Sequence, residues 1–138
     1  MRRLLRFLMM ISAVLGLGAC QQKTNAQATD VKEIRTVGVD EFEKTIASQQ
    51  DVVLLDVRTS EEYAQGHLDG ALLIDFKGKN FQTECTKQIP SGKTVAVYCR
   101  SGFRSNSAGK ILAENGYTVI NLKGGITAWQ EAGKPVVK

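Results

Sequence analysis

Residues 94–107, TVAVYCRSGFRSNS, decide the fold of this 138-residue chain. The first five are apolar and rich in β-branched side chains, which predicts a buried strand. Cys99 follows that strand, and a short loop containing Gly102 comes next. An apolar stripe then predicts a helix over residues 105–114. A strand that passes through a short loop into a helix is the repeating unit of a parallel sheet.

The rest of the chain repeats this alternation on both sides. Short apolar runs predict four further strands, at residues 34–37, 51–56, 71–75 and 117–122. Helices are predicted after them, at residues 40–48, 59–66, 80–89 and 126–132. Two of these helices begin with a capping-box pattern, Asp40-x-x-Glu43 and Thr59-x-x-Glu62. Strands separated by helices predict an α/β fold with a parallel sheet, whose ligands bind beyond the carboxyl ends of the strands.

The composition is that of one soluble globular domain. Apolar, aromatic and cysteine residues make up 43% of the chain and charged residues 23%, which excludes disorder and collagen-like structure. The three cysteines are too few for a disulfide framework, and the single histidine excludes zinc sites built on several histidines. Nothing in the pattern suggests association of copies, so a monomer is expected.

The first twenty residues, MRRLLRFLMMISAVLGLGAC, have the pattern of an export signal. Three arginines precede an apolar run, residues 7–17, that is too short for a helix spanning a bilayer. The ending LGAC resembles the lipobox of bacterial lipoproteins, which implies that residues 1–19 are a signal peptide and that Cys20 is lipidated. The alternatives are an ordinary cleaved signal with a chance cysteine, or a transmembrane anchor.

A lipidated Cys20 places the protein in the cell envelope, exported to the periplasmic face and held to the membrane only by lipid. Residues 20–33 are polar and predict a flexible tether, and residues 34–138 form the domain. Whether the anchor lies in the inner or the outer membrane stays open. Loss of three signal arginines leaves 15 of the 18 basic residues against 14 acidic ones, which gives nucleic-acid binding no electrostatic support.

The residues around Cys99 favour a reactive thiol. A loop that curls round the sulfur directs backbone N–H groups inward, and the start of the following helix adds partial positive charge. Arg100 and Arg104 add full charges, and Gly102 permits a turn with positive φ. Each feature stabilises a thiolate, so we expect the pKa of Cys99 to lie below that of a free thiol, about 8.5. The alternative is a buried cysteine that only packs.

Three segments of the chain resemble, in the same order, those of rhodanese-like sulfurtransferase domains. CRSGFRS, residues 99–105, is similar to the active-site loop of that family. LLDVRTSEEYAQGHLDGALLID, residues 54–75, and NLKGGITAW, residues 121–129, are similar to two further family segments.

The resemblance implies a single domain with a five-stranded parallel sheet flanked by helices on both faces. It also implies sulfur transfer without a metal or organic cofactor. The donor would be thiosulfate or a similar compound, Cys99 would carry the persulfide, and the acceptor would be cyanide, a small thiol or a thioredoxin-like protein.

The resemblance and the local charges also suggest roles for the residues near Cys99, the expected nucleophile. The expected substrate-binding residues are Arg100, Ser101, Gly102, Phe103, Arg104 and Ser105. The two arginines suit a dianion such as thiosulfate, and the two serines are positioned to donate hydrogen bonds to a persulfide. Asp56 and Arg58 are expected to support the loop through hydrogen bonds and ion pairing. His67 and Trp129 are expected to be structural.

Simpler roles remain open for three residues. Arg100 is alternatively a partner in a surface salt bridge, and Ser105 is alternatively only the helix N-cap. Cys85 is expected to be a buried helical cysteine, with a disulfide to Cys99 as the alternative.

Two rival functions are also considered. Cysteine phosphatases and arsenate reductases with a Cys-x5-Arg loop need an arginine that binds the anion bidentately. Here residue 105 is serine and the arginine comes one position earlier, at Arg104. A non-enzymatic sulfur-carrier or binding module in the envelope is the second rival. Inactive modules of this kind usually lack the loop cysteine, so Cys99 weakens that alternative.

Overall fold

The computed structural model describes residues 32–48 and 50–138, so the predicted signal, Cys20 and most of the tether lie outside the described residues. Strands and helices alternate along the described part. The strands are β1 Ile34–Val37, β2 Val52–Asp56, β3 Leu72–Leu73, β4 Thr94–Tyr98 and β5 Thr118–Leu122. The helices are α1 Val39–Ser48, α2 Ser60–Gln65, α3 Phe81–Gln88, α4 Phe103–Glu114 and α5 Gly125–Glu131. Among these residues, no helix is both long enough and apolar enough to cross a bilayer.

The strands form one parallel sheet in the order β1-β5-β4-β2-β3. This confirms the predicted α/β fold. β4 lies at the centre, with Asp56 of β2 beside Tyr98 on one side and Asn121 of β5 beside Val97 on the other. Because parallel strands all end at the same edge of the sheet, Cys99 lies at that edge between the ends of β2 and β5.

Helices cover both faces of the sheet, as predicted. Val97 and Cys99 face a core formed with α3 and α4, whereas Ala96 and Tyr98 face a second core formed with α1 and α5. This alternation is the period of two that a strand buried on both faces requires. It also sends Cys99 to the α4 side, where the next helix begins.

The start of α4 differs from the sequence-based prediction. The helix begins at Phe103 rather than at residue 105, because Gly102 turns the chain at φ 98° and its carbonyl accepts the N–H of Asn106 at 3.1 Å. Ser105 therefore lies inside the first turn and is not the N-cap. The earlier start brings the Ser105 side chain towards the end of β4.

Two other local predictions also need correction. α1 begins at Val39, because the Gly38 carbonyl accepts the first helical hydrogen bond, so Asp40 lies within the first turn rather than at the N-cap. The strand predicted at residues 71–75 shortens to β3, because Asp75 already belongs to a turn closed by Gly78.

The capping box of α2 is confirmed. The Thr59 hydroxyl accepts the backbone N–H of Glu62 at 3.2 Å, and the Glu62 carboxylate accepts the backbone N–H of Thr59 at 3.0 Å. These reciprocal bonds satisfy donors that the helix start leaves free. They also hold Glu62 at the edge of the sheet where Cys99 lies.

Candidate active site

The active-site loop (residues 99–105) wraps round the sulfur of Cys99. The backbone N–H of Gly102 donates to Sγ at 3.1 Å, and the hydroxyl of Ser105 donates to it at 3.4 Å. The positive φ of Gly102 makes this possible, because it turns the chain back over the end of β4. The sulfur therefore sits among hydrogen-bond donors at the start of α4.

These donors decide the ionisation of Cys99. Burial by itself raises the pKa of a thiol, but hydrogen bonds from the Ser105 hydroxyl and from backbone N–H groups of residues 101, 102 and 105 outweigh it. The pKa of Cys99 consequently lies below its ordinary value. A thiolate is the form in which cysteine acts as a nucleophile.

Cys85 shows what burial does without such donors. It lies in α3, is 1% exposed and belongs to the same core as Cys99. Burial, together with the nearby charge of Glu84, raises its pKa to about 12. Both cysteines are free thiols in this structure. Cys85 thus matches the expectation of a buried helical cysteine.

Cys99 is itself only 1% exposed, because the loop closes over it. The residue belongs to the core formed with α3 and α4, while its Sγ accepts hydrogen bonds from the Gly102 N–H and the Ser105 hydroxyl. The sulfur is therefore enclosed by polar hydrogens and is not sealed in hydrocarbon. A substrate must enter the loop, or the loop must open, before Sγ can attack it.

Arg104 forms a bidentate ion pair with Glu62. Both N–O distances are 2.8 Å, and this hydrogen bonding is the main reason why the pKa of Glu62 falls to about 2. Both terminal nitrogens of Arg104 are used in this pair, so its guanidinium is not the free donor-recognition group that the sequence suggests. Its charge still favours the Cys99 thiolate, and the pair joins α2 to α4.

Asp56 and Arg58 form a buried ion pair beneath the loop. The Arg58 Nη2 lies 2.7 Å from the Asp56 carboxylate and also donates to the Gly66 carbonyl at 2.7 Å. The Tyr98 hydroxyl donates to the same carboxylate at 2.7 Å and accepts the N–H of Leu68 at 3.1 Å. Because Tyr98 directly precedes Cys99, this network fixes the end of β4.

A glycine of the α5 start supports the loop from the other side. A Cβ placed on Gly125 would lie 2.4 Å from the carbonyl oxygens of both Cys99 and Arg100. The same two carbonyls accept the N–H groups of Ile126 and Thr127 at 2.9 and 3.2 Å. Only a residue without a side chain lets the start of α5 come this close to the carbonyls of Cys99 and Arg100.

The remaining loop residues lie at the surface. Arg100 is exposed and lines a cleft of about 330 Å³, together with Arg58, Glu62 and Ile126. We call this the β2 cleft, because Arg58 follows β2. Ser101 is exposed, and Phe103 is 81% exposed, which is unusual for a large apolar side chain.

His67 and Trp129 lie away from Cys99. The His67 ring stacks on Tyr63 at 3.6 Å between centroids, and the Trp129 indole N–H donates to the Pro135 carbonyl at 2.9 Å. The first contact joins His67 to α2, and the second joins α5 to the C-terminal segment. Both agree with the structural roles expected of His67 and Trp129.

Three contributors to the site escaped the sequence-based reasoning. The sequence identifies Glu62 only as a capping residue, Tyr98 only as a strand residue and Gly125 only as part of the NLKGGITAW segment. Their partners are distant in sequence, since Glu62 and Arg104 lie 42 positions apart. The register of β2 with β4 is the signal that would have paired Tyr98 with Asp56.

Comparison with known proteins agrees with this geometry. The rhodanese-like domain family matches residues 38–132. A sulfurtransferase of Allochromatium vinosum is 36% identical over 75% of this chain and 95% of its own length. The thiosulfate sulfurtransferase PspE of Escherichia coli is 36% identical over 61% of this chain and 77% of its own length. The crystal structure of a rhodanese-related protein from Thermoplasma volcanium covers 75% of this chain and 97% of that one, with a TM-score of 0.65 and 29% identity.

Proposed function

This chain belongs to the rhodanese-like domain family, and we propose that it is a thiosulfate sulfurtransferase that works through a persulfide on Cys99. The observation that carries the proposal is the hydrogen bonding of Sγ by Gly102 and Ser105. These donors stabilise negative charge on Sγ, both in the thiolate that attacks the donor and in the thiolate that leaves at the end of the cycle. Relatives named as sulfurtransferases support the same class of reaction.

The first step forms the persulfide. The Cys99 thiolate attacks the outer sulfur of thiosulfate, an S–S bond to Sγ forms, and the bond to the sulfonyl sulfur breaks. Sulfite leaves with the electron pair of that bond, so no external oxidant or reductant is needed. In the second step an acceptor nucleophile attacks the outer sulfur, and Cys99 leaves as the thiolate with which the cycle began.

Charge at the loop favours an anionic donor. Arg100 is exposed on the β2 cleft and belongs to no ion pair among residues 32–48 and 50–138, so its guanidinium is available to thiosulfate. Arg104 also contributes positive charge, but both of its terminal nitrogens donate to Glu62. The same pairing argues against phosphatase chemistry, in which an arginine must bind the phosphoryl oxygens bidentately.

An assay with thiosulfate and cyanide tests the proposal. The purified protein is expected to form thiocyanate, and incubation with thiosulfate alone is expected to add one sulfur atom to its mass. Cyanide should remove that sulfur. Absence of thiocyanate together with an unchanged mass would contradict a sulfurtransferase function.

We further propose that Cys20 is lipidated and that the domain works in the cell envelope. The support is the LGAC sequence after a short apolar run and the polar segment that follows it. Multiple acyl chains hold a protein stably to a bilayer, whereas one chain binds only marginally.

Replacing Cys20 by serine is expected to move the protein out of the membrane fraction or to leave its signal unprocessed. Membranes of bacteria that express the full chain are separated by centrifugation, and the protein is quantified in both fractions. Cys85→Ala is the matched control, because it removes a buried thiol of the folded domain that lies outside the LGAC sequence. An unchanged membrane fraction together with unchanged cleavage of the signal in Cys20→Ser would contradict lipid anchoring.

A further inference from the structure

A second cleft lies on the opposite side of β4 from the β2 cleft. It measures about 370 Å³, and we call it the β5 cleft. The residues that define it are Thr36, Ser101, Phe103, Asn106, Asn121 and Lys123. They come from the ends of β1 and β5, the active-site loop and the first turn of α4. This volume is at the lower end of the range for small-molecule sites.

Asn121, which lines the β5 cleft, carries a buried polar atom without a partner. Asn121 is 2% exposed, and its Nδ2 lies 3.5 Å from the Thr36 hydroxyl oxygen. Its Oδ1 has no hydrogen-bond partner among the described residues, and it is the one buried side-chain nitrogen or oxygen there in that condition. Buried acceptors are almost always satisfied, so this carbonyl indicates a ligand that donates an N–H or O–H.

A positive charge stands at the rim of the same cleft. Lys123 is exposed, and its ammonium is in no ion pair with residues 32–48 or 50–138. Its backbone N–H donates to the Val37 carbonyl at 2.8 Å, which fixes the position of the residue against β1. The cleft thus offers a cation for a carboxylate and an acceptor for an N–H group, beside the exposed ring of Phe103.

The β5 cleft borders the active-site loop that encloses the reactive sulfur. Ser101, Gly102 and Phe103 line it, and Gly102 is the residue whose N–H holds Cys99 Sγ. A molecule bound there therefore lies against the loop that carries the persulfide. The donor anion has its own cation, Arg100, in the β2 cleft on the other side.

From this arrangement we infer that the β5 cleft binds the sulfur acceptor, and that this acceptor is a small thiol carrying both a carboxylate and an N–H donor. Cysteine and glutathione have this chemistry. The inference rests on the proposed function and specifies its second substrate. The carboxylate pairs with Lys123, the N–H group donates to Asn121 Oδ1, and the thiol points towards the loop.

The transfer step balances without further reagents. The acceptor loses its thiol proton to solvent, and its thiolate attacks the outer sulfur of the Cys99 persulfide. A new S–S bond forms on the acceptor, the bond to Sγ breaks, and its electron pair stays on Cys99 as a thiolate. The product is the persulfide of the small thiol.

Four thiols distinguish the contact with Lys123 from the contact with Asn121. Persulfide-loaded full-length protein is mixed with glutathione, 3-mercaptopropionate, cysteamine or 2-mercaptoethanol, and the thiol concentration that gives half the maximal discharge rate is measured. Lys123→Ala is expected to raise that concentration about threefold to fivefold for glutathione and 3-mercaptopropionate, which carry a carboxylate. Asn121→Leu is expected to raise it about tenfold for glutathione and cysteamine, which carry N–H donors.

The controls use the same protein and reaction. Lys79→Ala removes an exposed lysine away from both clefts and should change no value, and 2-mercaptoethanol and cyanide should respond to none of the variants. Asn121→Leu keeps the number and branching of the side-chain heavy atoms and removes a carbonyl that has no partner among the described residues. The contact from Nδ2 to Thr36 that it also removes is long, at 3.5 Å, so the fold should tolerate the change. Equal responses of all four thiols to Lys123→Ala and Asn121→Leu would overturn the inference.

A non-reactive probe separates this inference from the proposed function. S-methylglutathione cannot accept sulfur, and its binding is followed by amide chemical shifts in the full-length protein. Wild-type shifts of the backbone amides of residues 121 and 123 would support the site even if no persulfide formed, provided that the shift of residue 121 is lost in Lys123→Ala and that of residue 123 in Asn121→Leu. Absence of such shifts in the wild type would refute it, whatever the outcome of the thiosulfate assay.

Discussion

Replacing Cys99 by serine is expected to lower the rate of thiocyanate formation by at least about a thousandfold. The serine hydroxyl fits the same loop and accepts the same hydrogen bonds from Gly102 and Ser105, so the fold should be unchanged. A hydroxyl does not ionise under these conditions and forms no persulfide. The rate is measured with thiosulfate and cyanide on matched amounts of folded protein.

Cys85→Ala is the control for that variant. Cys85 is equally buried, but burial raises its pKa to about 12, and the structure places it in α3 outside the loop. Its removal should leave the rate within about twofold, although it creates a small cavity. Equal rates for Cys99→Ser and wild type would contradict the assignment of the nucleophile.

Replacing Arg58 by methionine is expected to lower the free energy of unfolding by about 3–5 kcal/mol. The Asp56 carboxylate is 0% exposed and would lose the Arg58 charge while keeping only its contacts with Tyr98 and the backbone. The Gly66 carbonyl would lose its partner as well. Urea unfolding followed by circular dichroism measures the change.

An exposed ion pair provides the comparison. Arg35 pairs with Glu41 while its own side chain is 64% exposed, so Arg35→Met should cost about 1 kcal/mol or less. The double variant Asp56→Asn with Arg58→Met should recover part of the loss, because it removes the unpaired charge. Equal losses for Arg58→Met and Arg35→Met would show that the buried network does not stabilise the fold more than an exposed ion pair does.

Local patterns in the sequence predicted most of the elements. The β-branched run of Thr94–Tyr98 is β4 to the residue, and the pattern from Thr59 to Glu62 is a capping box in the structure. These signals work because their contacts lie within a few positions along the chain. The start of α4 was missed because it depends on the φ of Gly102, which a helical apolar stripe does not encode.

The site was predicted less completely than the fold. Cys99 and its loop stand out in the sequence because charge, glycine and helix start occur side by side. Arg104 was expected to be free, yet Glu62, 42 positions earlier, takes both of its nitrogens. Asn121 opens the NLKGGITAW segment, but nothing in that segment assigned it a binding role, since only the pairing of β1 with β5 places it beside Thr36.

The rate of Cys99 alkylation as a function of pH tests the central claim most directly, because that claim is a thiolate held by hydrogen bonds. The protein is treated with iodoacetamide at several pH values, and modification of the peptide carrying Cys99 is followed by mass spectrometry. Since the pKa of Cys99 is lowered, the rate should be level above that pKa and fall as the pH drops through it. The midpoint should lie below the free-thiol value, about 8.5, and move upward in Ser105→Ala, which removes the hydroxyl donor. A midpoint at or above the free-thiol value, or one that Ser105→Ala leaves in place, would contradict the account.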